Sequence, residues 1–342
     1  MKRKLAVLVM TAVLAAGSLA GCGGLDGSET VAEFQDTKIT ANVVNFYARM
    51  QQAQYETYYA SFMGDEMWAG EVSDGKTYEA SMKESILNDL ENMYILETHA
   101  AEYKVALTDE EKAAIEEAAD AFSEGNSSEN KEVVSGDPDT VKRVLELVTI
   151  QSKMFDAMTA DVDTNVSDTE AAQKSMQYVS FSYNKTDEDG QSAVMTGEEK
   201  EELMETVKEF REGALDAEDF TAYAEEKGYT ASTVTFDAET TSPSAELIKA
   251  ADGLKEGEVT EIIEDTSACY VAKLTSLLDR DATDKEKESI VSQRRQEKYS
   301  SLCTEWKEAL DIKVHDGVMK KIDFQKQGVA IKMPETGEEE SE

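Results

Sequence analysis

Histidine is nearly missing from this chain: two among 342 residues, His99 and His315, far apart in sequence. That excludes most zinc-site signatures and leaves no ready Ser/His or Cys/His pair for nucleophilic catalysis. Cysteine is as scarce. Of the three, Cys22 lies near the start, while Cys269 and Cys303 lack metal-ligand spacing. Whether those two pair or stay free is open from sequence. Basic charge is also short: 34 Lys and Arg against 72 Asp and Glu give a net charge of −38. Phosphate backbones need a basic surface, so nucleic acid is excluded as a partner, as is lying flat on anionic lipid. The acid supplies a strongly solvated surface, or one that attracts basic unfolded chains. No internal repeat is visible, and no cofactor or metal is implied. Asp161, Asp163 and Asn165 have calcium-loop spacing, but Val166 stands where the turn glycine belongs and Ala172 where the closing glutamate belongs.

What is present begins with Lys2, Arg3 and Lys4, an apolar run from Leu5 to Ala16, and Leu19-Ala20-Gly21-Cys22. A basic start, a short apolar run and small residues before a cut site make a secretory signal, and the run is too short for a membrane span. The tetrapeptide resembles the lipobox of bacterial lipoproteins, in which the thiol takes a diacylglycerol and Cys22 becomes the new N-terminus. Residues 1–21 are then the signal and 22–30 a Gly- and Ser-rich tether.

Residues 31–40 predict a hairpin turning at Gln35-Asp36-Thr37. A helix follows from Ala41 to Phe62, with Val43, Phe46, Tyr47, Met50 and Ala53 on one face. Tyr55, Tyr58, Tyr59 and Phe62 crowd its end, with Trp68 just beyond. This aromatic set is either core or a client-binding surface. Further helices are predicted over 78–103, from the Thr108 capping box, and over 139–160, with 123–136 as a loop. Ser167-Asp168-Thr169-Glu170 reads as another capping box. From there strands (176–183, 230–236, 258–263, 268–274) alternate with helices (197–212, 216–227, 243–251). Pro243 is placed at a first helical position. Thr283 is read as the cap of a long helix to Leu310, followed by an extended stretch (312–330) and an acidic, disordered end.

The layout resembles the PrsA-type foldase lipoproteins and the SurA family of periplasmic chaperones. Val31-Ala32-Glu33-Phe34-Gln35-Asp36-Thr37-Lys38-Ile39-Thr40 is similar to the opening of their first chaperone segment, without its turn glycine. Asp216-Ala217-Glu218-Asp219-Phe220 resembles a parvulin phrase, as does Leu254-Lys255-Glu256-Gly257-Glu258-Val259-Thr260, with Tyr270 to Leu274 like the closing strand. The resemblance implies an α+β fold: a mainly helical, discontinuous chaperone domain (31–166 and 283–325) with an inserted parvulin-like β/α domain (167–282), and a tail over 326–342. Parvulins usually carry a histidine on the first strand and another on the last; Tyr178 and Tyr270 stand at those positions here. The family's Gly-rich phrase and the Met and Phe of its proline pocket have no counterpart. Prolyl isomerisation needs a better fit to the twisted amide than to the planar one. A tyrosine hydroxyl could donate to it, so both an isomerase and a purely binding module stay open.

The expectation is a lipid-anchored folding factor on the outer face of the bacterial cytoplasmic membrane. Its partners would be unfolded or newly exported polypeptides, and the membrane through Cys22. Candidate catalytic residues are Tyr178 and Tyr270. Candidate client-binding residues are Phe46, Tyr47, Met50, Tyr55, Tyr58, Tyr59, Phe62 and Trp68. The alternatives are a solute-binding lipoprotein of a transporter and a structural envelope lipoprotein.

Overall fold

Val43, Phe46, Met50 and Ala53, three and four residues apart, bury one face of a helix that runs Ala41–Met63. This helix is the spine of the first of two units in the computed structural model, which describes residues 14–16, 25–64, 66–73, 75–186 and 191–331. The units are Met1–Asp161 with Glu297–Glu342, and Val162–Gln296. The architecture is α+β. Cys22, the residues just before it and positions 332–342 of the acidic end lie outside the described residues.

In the first unit, Thr30–Phe34 and Thr37–Thr40 form the expected hairpin, and Lys313–Val314 adds to its open side. Helices Tyr78–His99, Asp109–Gly125 and Pro138–Met158 pack with the spine through Ile86, Leu90, Phe122, Val144 and Leu147. Thr108 and Glu111 complete the capping box in both directions. The second helix stops at His99 rather than reaching 103, because the chain turns there and Lys104 takes a positive φ. The stretch 123–136, read as a loop, holds a helix, Ser128–Val134, capped by the Ser127 hydroxyl. Its polar composition hid it: only Val134 is deeply buried. Gly136 is required where it stands, since a Cβ there would lie 2.6 Å from the Phe122 ring.

The extended stretch after residue 312 is a strap rather than a plain tail. It contains a short helix, Asp316–Met319, and the strand Val329–Ile331, and it buries Ile322, Phe324 and Val329. Polar side chains hold its main chain. Arg49, 5% exposed, donates to the carbonyls of Asp323 and Gln327, the latter at 2.8 Å. Gln52 donates to the Phe324 and Gln327 carbonyls. Glu79 accepts from the Phe324 and Gln325 nitrogens. Burial lowers the Arg49 pKa to about 10, with Glu56 and Glu79 opposing, so the guanidinium stays charged at neutral pH.

In the second unit four strands order as Ile263–Glu264, Ala268–Ser276, Lys174–Ser182 and Ser232–Phe236, all antiparallel. Helices Gly197–Asp216 and Phe220–Glu226 cover one face through Phe210, Phe220 and Ala224 against Val179, Phe181 and Val271. The second of these starts after Asp219, whose carboxylate caps Ala222, and not at 216. The eight-residue helix Ala245–Asp252 covers part of the other face. Its cap is Ser244, and Pro243, joined to Ser242 by a cis bond, precedes the helix rather than opening it. Gly257, at φ +86°, makes the turn that brings Val259 and Thr260 onto the long strand. The expected strand 258–263 is broken because the Thr260 hydroxyl, not its main chain, accepts from Ala272. The loop 184–196 carries a small hairpin, Asn184–Thr186 with Ser192–Val194.

Two caps expected from sequence are tertiary anchors instead. No helix follows Ser167, whose segment turns into the first strand with Ala171 buried. Asp168 pairs with Arg280 and Lys287, and Glu170 with Arg294. The long helix starts at Arg280, capped by Asp279, and runs Arg280–Glu308. Thr283 sits inside it, fully buried, accepting from the Gln173 main chain.

Arg49→Ala strands the Asp323 carbonyl, leaves that of Gln327 to Gln52 alone, and is expected to cost about 3 kcal/mol in denaturant unfolding. Hydrogen exchange should quicken across 322–331 first. The Asp168 carboxyl is held at about 2 by its hydrogen bonds to Lys287 and Arg280. A depressed carboxylate contributes its stability above the unfolded value, about 3.9, and loses it as pH falls towards 2. Stability of Asp168→Asn should therefore decline less steeply than wild type between about pH 4 and 2 in urea titrations.

Candidate functional site

The aromatic set of the spine helix divides. Phe46, Met50 and Trp68 are core, at 3–4% exposure, and Tyr47 and Tyr55 are half-buried. Tyr58, Tyr59 and Phe62 stand out in solvent at 55%, 52% and 87%. The last turns of the helix outrun the core that buries its first half. Beneath them is a fixed aromatic layer. Trp68 stacks on Tyr78 with centroids 5.3 Å apart, and meets Phe324 of the strap edge-on at 4.9 Å. Tyr55 bridges Tyr78 and Tyr59. The Trp68 indole donates to Glu56 at 2.8 Å, so its one polar atom is satisfied. Burial, then the neighbouring Tyr55, pushes the Tyr78 phenol up to about 12. A groove of about 670 Å³ opens beside this layer, lined by Met67, Trp68, Phe324 and Gly328.

A second, smaller hollow of about 110 Å³ lies between Phe46, Met50, Phe122, Val144 and Val148. Sequence reasoning missed it because its walls come from three separate helices. The available signal was Val148, 40% exposed on an apolar stripe.

Tyr178 and Tyr270 do come together. Val271 pairs with Val179, so Tyr270 lies opposite Ser180 and Tyr178 opposite Ala272, on one face of the sheet. Their rings are 6.3 Å apart at 57°. Their surroundings differ. Tyr270 is 5% exposed, and burial, then Asp265, raises its phenol, so it stays neutral. The neighbouring Asp265 carboxyl is held low chiefly by the Ser267 main chain and also accepts from Ala268. Tyr178 is half-buried, and its hydroxyl has no hydrogen-bond partner among the described residues. The two phenols thus differ in burial: Tyr270 is enclosed and Tyr178 is partly open.

Cys269 and Cys303 are both free and buried, each in its own unit. Burial raises both thiols, which makes them poor nucleophiles. Asp161 of the calcium-like spacing pairs with Lys298. Among the described residues no group of three His, Cys, Asp or Glu is gathered for a metal, and no helix is long and apolar enough to cross a membrane.

A buried Tyr270 leaves Tyr178 as the more accessible donor for a twisted amide. In a proline-peptide isomerisation assay the chain, Tyr178→Phe and Tyr270→Phe are expected to match the uncatalysed rate. Acceleration by the wild type that Tyr178→Phe removes would show that the face is catalytic.

No family model matches the chain, and no curated protein matches it. Solved structures do. The foldase protein PrsA from Streptococcus pneumoniae is 21% identical at a TM-score of 0.29, covering 75% of this chain and 99% of that one. The peptidylprolyl isomerase PrsA from Bacillus cereus is 16% identical at a TM-score of 0.31, covering 88% and 99%. A SurA-like chaperone of Campylobacter jejuni is 9% identical at a TM-score of 0.30, covering 84% and 99%. The chain is similar to the PrsA and SurA-like foldases.

Proposed function

We propose that this protein is an extracytoplasmic folding factor that holds unfolded, newly exported polypeptides, anchored to the membrane through a lipid on Cys22. The observation that carries the reading is the exposed row Tyr58, Tyr59 and Phe62 on a fixed aromatic base. Large apolar side chains in solvent cost free energy unless something covers them part of the time. The chain around them is strongly acidic, at −38, which keeps such a surface from self-association. Aromatic side chains give adaptable contacts that do not depend on client sequence. No energy source is needed if binding is weak and reversible. The sheet unit serves as a binding and spacing module, with Tyr178 and Tyr270 as strand tyrosines. A solute-binding lipoprotein would alternate strands and helices in two lobes, whereas every pairing between the named strands here is antiparallel.

The test is suppression of aggregation of an unfolded client, read by light scattering. Stoichiometric wild type is expected to suppress it, and a Tyr58→Ser, Tyr59→Ser, Phe62→Ser triple variant to lose most of the effect. Because these side chains are exposed, each change should move stability by less than about 0.5 kcal/mol. No suppression by the wild type would sink the reading.

A further inference from the structure

The strand Val329–Ile331 has two edges with different partners. On one side the Val329 N–H donates to the Glu56 carboxylate at 2.8 Å and the Ile331 N–H to the Thr57 hydroxyl at 2.9 Å. Main-chain donors alternate in direction along a strand. The N–H and C=O of Ala330 therefore point away from the spine helix. On that outer side lies Leu14–Ala16, antiparallel, with Ala15 opposite Ala330. The first strand is thus part of the apolar run that ends at the signal motif.

Removal of residues 1–21 would take this partner away. Ala330 would then present a donor and an acceptor at an open strand edge, a template for another chain. We propose that the outer edge of Val329–Ile331 is a strand-addition site for clients, and that its ligand is an extended, uncharged, small-aliphatic stretch of an unfolded exported polypeptide. The proposal rests on the folding-factor reading and adds to it how a client is held. The chain's own segment Leu14–Ala16, antiparallel and in register, shows that the edge takes an added strand. Main-chain pairing supplies affinity without reading sequence, which suits a site serving many clients. Position fits as well. The strand is pinned at Glu56 and Thr57, within two turns of Tyr58, Tyr59 and Phe62 on the same helix, so one client segment reaches both the edge and the exposed aromatics.

The probe is a fluorescein-labelled peptide with the sequence of residues 11–18, titrated by fluorescence anisotropy. Its receptor is the chain from residue 22 onward carrying Cys22→Ser. Saturable binding is expected. Ala330→Pro, which deletes the outward N–H at a position where an edge strand tolerates proline, should weaken it about tenfold. Ala330→Val, which keeps the N–H, should bind like wild type, and both variants should melt like wild type. The full-length chain, whose own segment fills the edge, should bind more weakly by about tenfold or more. No binding up to about 1 mM, or equal binding by the Pro and Val variants, overturns the site. If the wild type still suppresses client aggregation in that case, only the strand-addition site fails. If suppression is absent too, the folding-factor reading fails with it.

Discussion

Buried polarity, more than apolar packing, decides the shape of the helical unit. Arg49, Gln52 and Glu79 are 0–6% exposed, on helices whose other buried positions are mostly apolar. Polar groups so placed are costly unless every donor and acceptor is used. They are used on the main chain of the strap: among the described residues no buried side-chain nitrogen or oxygen lacks a partner. A greasy surface would accept the strap in several registers; a row of fixed donors and acceptors accepts one. That register sets Phe324 against Trp68 and Val329 against Glu56. The exposed aromatics depend in turn on the layer Trp68 belongs to.

Much of the helical unit was legible because its stripes are periodic and its caps local. Thr108 with Glu111, and Val141, Val144 and Met158 on one helix, need no knowledge of the rest of the chain. The misses share a cause. Ser167 and Thr283 carry the side chains of helix caps, yet distant contacts decide what they do: Ser167 caps only a turn, whose Asp168 is held by Arg280 and Lys287, and Gln173 takes the Thr283 hydroxyl. A local signal cannot report a contact more than a hundred residues away. The helix Ser128–Val134 was hidden for the opposite reason, since it buries too little to leave a stripe.

The candidate residues were legible as types and not as roles. Strand parity alone puts Tyr178 and Tyr270 on odd positions of their strands, but only the register puts them side by side. Nothing in the spacing reveals that Tyr270 is buried while Tyr178 stays partly open. Likewise the aromatic row from Phe46 to Phe62 looks continuous in sequence. It divides into core and surface because the helix continues past the elements that cover its first half.

The hairpin at the start of the first unit has its third strand, Lys313–Val314, supplied from near the other end of the chain. A protein exported amino end first would therefore deliver Thr30–Phe34 long before the strand that pairs with it. The helical unit cannot close until almost the last residue has crossed, while Val162–Gln296, contiguous in sequence, is free to close on the way. Such long-range closure slows folding and leaves an incomplete sheet edge waiting. On the proposed function, such a factor would pass, during its own export, through the same half-made condition as the chains it is proposed to hold.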